Sequence, residues 1–542
     1  MAKIIGYLIY IRRSLLFSFL AFCFFVIFLT VLSGNNFIDI FYNYFEKSNY
    51  LFLTVSFFYN FILLCVLFFL VRHIYFFSFL FSFFVFSNYL SYKTFGSILT
   101  FDVVSISLSE IGRANDFFDS YFSFELFFPL LGFLVASFFL KKIADLNIGY
   151  FKISNKLTIF ISICLLFLSL CSGYFFEART KGSFNFYIDP FRTISKIIYT
   201  VNNGVNYKKR MDLNEFPENK SAVKNILLII DESIAYGHLS INGYDRATTP
   251  YLASIKNEYY SMGKSLSSFN CSASSNFVLT TGIRPQDIPD PHGLHTLSQP
   301  SLFSFAKKSG FKTAYFSAQT PEGKFQNYMS KYDLEQIDFF YSNNLESSFN
   351  DYNMIEAWGR FITENENTFS IMVKQGAHFP WKSNKYEGRP FEAVLPDGEP
   401  LSLSRKSEAI NSYDNLIVWG VDKFMEKLIP MLSKEKDFVI YTSDHGQNIF
   451  DNEQVSATHC TFSGIVPPEQ GYVPILIFGS NEVKVSSGAG FYSHFNIVPT
   501  IKHVMGFKVD MNDTFFSDTP QKYDYFFSGG VFDTAHKVYV PQ

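Results

Sequence analysis

The sequence predicts a multi-span α-helical membrane domain followed by an α/β domain with a mainly parallel central sheet. Two observations carry this. The chain has 69 Phe among 542 residues, crowded into its first third in long apolar runs. From residue 225 onward, short apolar runs alternate with helical patterns, as in strands joined by crossover helices. A formal net charge of −3 is too near neutral for a nucleic-acid partner.

A spanning helix needs roughly 20 mainly apolar residues, because hydrocarbon satisfies no backbone polar group. Five stretches qualify: 14–33, 50–71, 75–92, 121–140 and 156–176, which makes residues 1–176 the membrane domain. The first is too long, and too closely followed by others, for a cleaved signal peptide. Lys3, Arg12, Arg13, Arg72, Lys141, Lys142, Lys152 and Lys156 fall on one side of these spans. The opposite loops, near 34–49 and 93–120, are poorer in cations, so the N-terminus is expected inside and everything after about residue 177 outside the cytoplasm.

Residues 177–223 are read as a connector. Ile194, Ile197, Ile198 and Val201 have helical spacing beside Arg192 and Lys196, which suits an interfacial helix or an ordinary amphipathic one. The polar stretch 206–224 is expected to be a linker.

In the domain from 224 to 542, strands are expected at Ile226–Ile230, Thr313–Ser317, Phe369–Val373, Phe438–Thr442 and Pro474–Phe478. Helices are expected at 249–262, 300–309, 350–364 and 404–432. In such sheets, ligands collect beyond the carboxyl ends of the strands. Glu232 follows the first strand, His378 the third, and Asp444-His445 the fourth. Carboxylate and imidazole are ligands of catalytic zinc, which keeps one position open for substrate. Each residue alone is ordinary at a strand end; the convergence is the signal. Cys271 and Cys460 are the two cysteines outside the spans, and an oxidising compartment would permit them to pair or leave them as thiols.

The run from Glu232 through His238, Asn242-Gly243-Tyr244, Arg246 and Thr249-Pro250 resembles the opening motif of the lipid A phosphoethanolamine transferases, in the alkaline phosphatase superfamily. The likeness continues through Tyr413-Asp414-Asn415, Ser443-Asp444-His445-Gly446, Thr458-His459-Cys460 and Pro467 to Pro474. It implies an alkaline phosphatase-like domain behind five spans, in a bacterial inner membrane with the catalytic domain in the periplasm.

The resemblance further implies Glu232, Asp444 and His445 as ligands of one Zn2+, with a hydroxyl nucleophile as fourth ligand, four positions after a Cys. That position is Ser275, with Ser272 and Ser274 close by. The hydroxyl would be activated by zinc, at a helix expected to open at Ser275. His378, His459 and, across a gapped loop, Lys324 are the implied phosphoryl contacts. Glu110 and Asn115 are the nearest polar candidates for the donor headgroup. His292, His295 and His494 are read as surface or packing residues. The implied reaction moves phosphoethanolamine from phosphatidylethanolamine to lipid A or another envelope glycan, through a phosphoserine.

Three rival readings are a phosphoglycerol transferase with the same metal site, a sulfatase, and a non-catalytic membrane sensor. Cys271-Ser-Ala-Ser-Ser275 lacks the Pro and Arg that formylglycine formation needs, and the metal ligands of an active enzyme are all present.

Overall fold

The computed structural model describes Ser91 and residues 209–541, apart from 291–294, 321–326, 343–349, 380, 382–387, 397–400, 452–457, 463–464, 480–482, 487–488 and 532–534. The chain divides into two units, Met1–Ile111 with Tyr121–Gly204, and Gly112–Ser120 with Val205–Gln542. Apart from Ser91 in the third, the five expected spans lie outside the described residues, as does the expected interfacial helix. Among the described residues, no helix is long and apolar enough to cross a membrane.

The described domain is built on a seven-stranded sheet of order β2-β9-β7-β1-β6-β4-β5. Its strands are β1 (Asn225–Asp231), β2 (Tyr259–Ser261), β4 (Lys312–Ser317), β5 (Phe339–Ser342), β6 (Thr368–Val373), β7 (Asp437–Ser443) and β9 (Ile475–Phe478). Neighbours from β7 to β5 all pair in parallel, and β9 runs antiparallel to both β7 and β2. Two small antiparallel pairs stand apart, β3 (Ser265–Leu266) with β8 (Tyr472–Val473) and β10 (Tyr525–Ser528) with β11 (His536–Tyr539).

The central strand explains the architecture. Asn-Ile-Leu-Leu-Ile-Ile-Asp has no polar face, so both sides must be covered. Leu227 and Ile229 pack with Trp358 of one helix and with Tyr413, Ile417 and Phe424 of a second helical run. Ile226, Leu228 and Ile230 face Phe303, Ile497 and Ile501 on the other side. This is the period-two alternation of a strand between two helical layers, each buried side chain worth about 1.5–3 kcal/mol.

The helices are α1 (Pro250–Ser254), α2 (Ser272–Thr281), α3 (Leu302–Lys308), α4 (Lys331–Leu334), α5 (Asn350–Glu364), α6 (Lys406–Ile417), α7 (Phe424–Leu428) and α8 (Ile497–Val504). The helix expected over 249–262 stops near Ile255, because Tyr259–Ser261 pairs with β9 as an edge strand. The helix expected over 404–432 is interrupted by a π-helical turn, Val418–Lys423, between α6 and α7.

The expected linker is fastened to the domain from residue 210. Arg210 is buried and makes a 2.7 Å ion pair with Asp333, while its Nη1 donates to the Leu297 carbonyl at 2.9 Å. Leu213 joins the core on the α3 side.

Candidate active site

Three parallel neighbours, β6, β1 and β7, end at the same rim, and the register Asp231↔Ser443 puts Glu232 beside Asp444. Glu232, Asp444 and His445 are all buried, and their potential ligand atoms lie within 4.8 Å of one another. His445 Nε2 is 3.6 Å from Glu232 Oε1 and 3.5 Å from Asp444 Oδ2. Its Nδ1 lies 2.8 Å from the Gly446 carbonyl; an Nδ1–H donating there leaves Nε2 as a lone pair facing the carboxylates. Gly446 has no substitute, because a Cβ there would sit 2.1 Å from the Glu469 carbonyl oxygen.

The carboxylates are held by different means. Glu232 Oε1 accepts from Ser233 Oγ at 2.7 Å, and Oε2 from Gln319 Nε2 at 3.0 Å. Asp444 Oδ1 accepts from the Ser233 and His445 amides at 3.0 and 2.7 Å, whereas Oδ2 is buried with no hydrogen-bond partner. Burial pushes the Glu232 carboxyl up, but His378, His445 and His459 outweigh it and hold it at about 2. Burial, reinforced by the Glu232 charge, pushes Asp444 well up. Two buried carboxylates, an orphaned oxygen and an imidazole lone pair form a donor set that fits a divalent cation.

The hydroxyl that meets this group is Ser272. Its Oγ lies 3.0 Å from His445 Nε2 and donates to Glu232 Oε1 at 3.3 Å. The expectation placed Ser275 in this position, as nucleophile and metal ligand. Helix α2 opens at Ser272, with Cys271 as its extended N-cap, so the first turn at the rim belongs to Ser272. Ser275 is wholly buried beneath, donating to the Asp444 main-chain carbonyl, 3.1 Å from His494 Nδ1 and 3.2 Å from Ser268 Oγ. Ser274 faces elsewhere, accepting from the Val531 amide at 3.2 Å.

The histidines sort accordingly. His459 stacks on His445 with ring centroids 4.4 Å apart, and its Nδ1 is 3.1 Å from Gln447 Oε1. Burial and the His445 charge push its pKa well down. His378 is near enough for its charge to bear on Glu232, His445 and His459. His295 is exposed, as expected. His494 falls on the packing side of that reading: it is fully buried, accepts from the Ser268 amide at 3.1 Å, and sets Nε2 3.2 Å from Thr442 Oγ1. Lys324, Glu110, Asn115 and His292 lie outside the described residues.

Two features brace the rim. Cys271 and Cys460 form a disulfide across 189 residues of sequence, joining the N-cap of α2 to the residue after His459. The opening-motif residues converge on Asp414 of α6, which takes His238 Nδ1 at 2.7 Å, Tyr244 at 2.9 Å and Arg246 at 2.6 Å. Next to it, the Tyr413 hydroxyl donates to the Ser233 carbonyl and accepts from the Ala235 amide, both at 2.7 Å. The motif therefore ties the loop after β1 to α6. Gln319, Gln447 and His494 were not singled out by sequence. The S-x-x-N capping box of Ser493 and Asn496, which starts a helical turn at His494, is the one signal that could have drawn notice there.

A mainly parallel sheet with helices on both faces, and a buried acidic-imidazole group at its carboxyl rim beside a helix N-terminus, defines an alkaline phosphatase-like domain. Residues 224–507 match the Sulfatase family model, and the chain belongs to that family. The chain is 27% identical over 284 residues to the Kdo(2)-lipid A phosphoethanolamine 7''-transferase of Salmonella typhimurium, covering 51% of this chain and 48% of that protein. It is 26% identical over 270 residues to phosphoethanolamine transferase EptA of Helicobacter pylori, covering 48% of each. The chain thus spans about half the length of these relatives. Among solved structures, the integral membrane protein lipooligosaccharide phosphoethanolamine transferase A of Neisseria meningitidis superposes with a TM-score of 0.57. That match is 16% identical and covers 92% of this chain and 96% of the other. These relatives bear out the resemblance to phosphoethanolamine transferases.

Proposed function

We propose that this protein transfers phosphoethanolamine from phosphatidylethanolamine to lipid A or another cell-envelope glycan, with Ser272 as the nucleophile and Zn2+ as the cofactor. The observation that carries the reading is the position of Ser272 Oγ, at the N-terminus of α2 and in contact with both His445 and Glu232. The named activity of the relatives supports the substrate class.

Glu232, Asp444 and His445 would hold the ion, with Ser272 completing the set. When bound, zinc would lower the pKa of the hydroxyl and draw charge from the phosphoryl oxygens. Ser272 Oγ attacks the phosphorus of the donor, the bond to diacylglycerol breaks, and the serine proton ends on the diacylglycerol oxygen. An acceptor oxygen then displaces Ser272, which recovers a proton. The free amides of the first turn of α2 favour the anionic phosphoryl group throughout. His378 and His459 border the group in flight; Lys324 and Glu110 enter from the sequence as phosphate and headgroup contacts. A membrane anchor at residues 1–176 would keep the enzyme where its donor resides, and the Cys271–Cys460 disulfide supports an oxidising, extracytoplasmic location.

Intact-mass analysis of the full-length protein incubated with phosphatidylethanolamine tests this. A phosphoethanolamine adduct is expected on wild type and Ser275→Ala, and on neither Ser272→Ala nor zinc-stripped protein. An adduct formed from phosphatidylglycerol instead would move the reading to a phosphoglycerol transferase, and one that survives Ser272→Ala would overturn the assignment of the nucleophile.

A further inference from the structure

A fully buried lysine is tied to Glu232 from behind the rim. Lys374 directly follows β6, and its ammonium makes a 2.5 Å ion pair with Asp231 Oδ2. It also donates to the Gly420 carbonyl and sits 4.1 Å from the centroid of the Phe424 ring. Gly420 belongs to the π-helical turn between α6 and α7, a local widening that often marks a functional position. Asp231 Oδ2 accepts a second bond, from the Tyr441 hydroxyl at 2.8 Å. A buried ammonium is tolerated only when paired and hydrogen-bonded, as this one is.

Two separate connections run from Lys374 to Glu232. Through its side chain it holds Asp231, whose Oδ1 accepts from the Glu232 main-chain amide at 3.0 Å. Through its carbonyl it accepts from Gln319 Nε2 at 2.6 Å, and the same amide nitrogen donates to Glu232 Oε2 at 3.0 Å. One connection fixes the backbone of Glu232 and the other fixes its carboxylate, leaving Oε1 toward Ser272 and His445. The chain beyond closes around the same residue: the Ala377 amide donates to the Glu232 carbonyl at 3.0 Å. Gly376, at φ +49°, leaves no room for a Cβ, which would lie 2.3 Å from Asp231 Oδ1.

We propose that Lys374 is a positioning residue for Glu232, acting through Asp231 and Gln319 to aim the carboxylate at the divalent cation. This rests on the metal reading of the site. Outer-shell partners of this kind typically change metal affinity about 10–100-fold when removed.

The test is zinc affinity, read by chelator competition on full-length protein, alongside the thermal midpoint of the metal-free form. Lys374→Met combined with Asp231→Asn removes both charges and leaves neither buried alone. That double variant should bind zinc about 10–100-fold more weakly, with a metal-free midpoint close to wild type. Gln319→Ala, which cuts the connection through the Lys374 carbonyl that the double variant leaves intact, should also weaken zinc binding. A folded double variant with wild-type affinity overturns the proposal. If the double variant does not fold, wild-type affinity in Gln319→Ala overturns it instead. Wild-type protein that takes up no zinc would sink the metal reading, and this inference with it.

Discussion

Ser272 Oγ and His445 Nε2 meet at 3.0 Å, while Ser275, three residues along the same helix, turns its hydroxyl away to the main chain of Asp444. The two serines therefore have separable duties, and their alanine variants should separate them. Ser272→Ala should lose at least about 10³-fold in turnover while keeping its thermal midpoint. Ser275→Ala should keep activity within about tenfold and lose about 1–3 kcal/mol of stability, because the Asp444 carbonyl loses a donor. Single-turnover kinetics beside thermal melts distinguish the two.

Asp444 has a buried oxygen without a partner and a carboxyl pushed up by burial and by Glu232. Neutralising it should cost metal and not stability. Asp444→Asn is expected to retain less than about a tenth of the zinc bound by wild type, since an amide is a poor ligand. Its metal-free form should melt no lower than wild-type protein in chelator. A large drop in that metal-free midpoint would mean that Asp444 is a structural acid rather than a ligand.

His494 gives the fold a dependence on acid. Burial, aided by the His445 charge and opposed by a bond to the Ser443 main chain, lowers its pKa to about 3. The unfolded chain takes up this proton below about 6.5, and the folded one only near 3. Stability from this residue is thus complete above that unfolded value and falls as pH drops toward 3, by on the order of a few kcal/mol. His494→Gln should flatten the curve of melting temperature against pH in this window. An unchanged slope would remove His494 as its source.

The Cys271–Cys460 bridge closes a loop of 189 residues at the rim of the site. Replacing both cysteines with serine should lower stability by about 2–4 kcal/mol. It should also slow turnover, because the start of α2 and the His459 loop lose their covalent link. Reductant should reproduce both effects in wild type and add nothing to the double variant.

How far the sequence could be read depended on where the determining contacts lie. The five expected strands of the large sheet were legible because each is a short, mainly apolar run, and Glu232, Asp444 and His445 were legible because they follow two of them. β2 was not, since Tyr259-Tyr260-Ser261 also continues a helical pattern and only pairing with β9 decides against it. The place of Ser272 at the rim was not legible, because counting from a cysteine does not say where a helix begins; the extended backbone of Cys271 does. His494 and Lys374 were invisible for a different reason. Nothing in the sequence around a histidine 49 residues past His445, or a lysine at the end of an apolar run, says that the fold buries both completely.

One end of β1 bears on the other. Its five central residues, Ile-Leu-Leu-Ile-Ile, are so alike that sliding the strand one step along its neighbours would expose little apolar surface. The polar ends act as detents. Asn225 donates to Asp437 of β7 at 2.7 Å and accepts from Thr368 of β6 at 2.8 Å, and Asp231 engages Lys374 and Tyr441 at the far end. An asparagine about 20 Å from Glu232 along the strand thus helps choose which residue arrives at the rim, much as a ratchet tooth sets the position of a pawl it never touches.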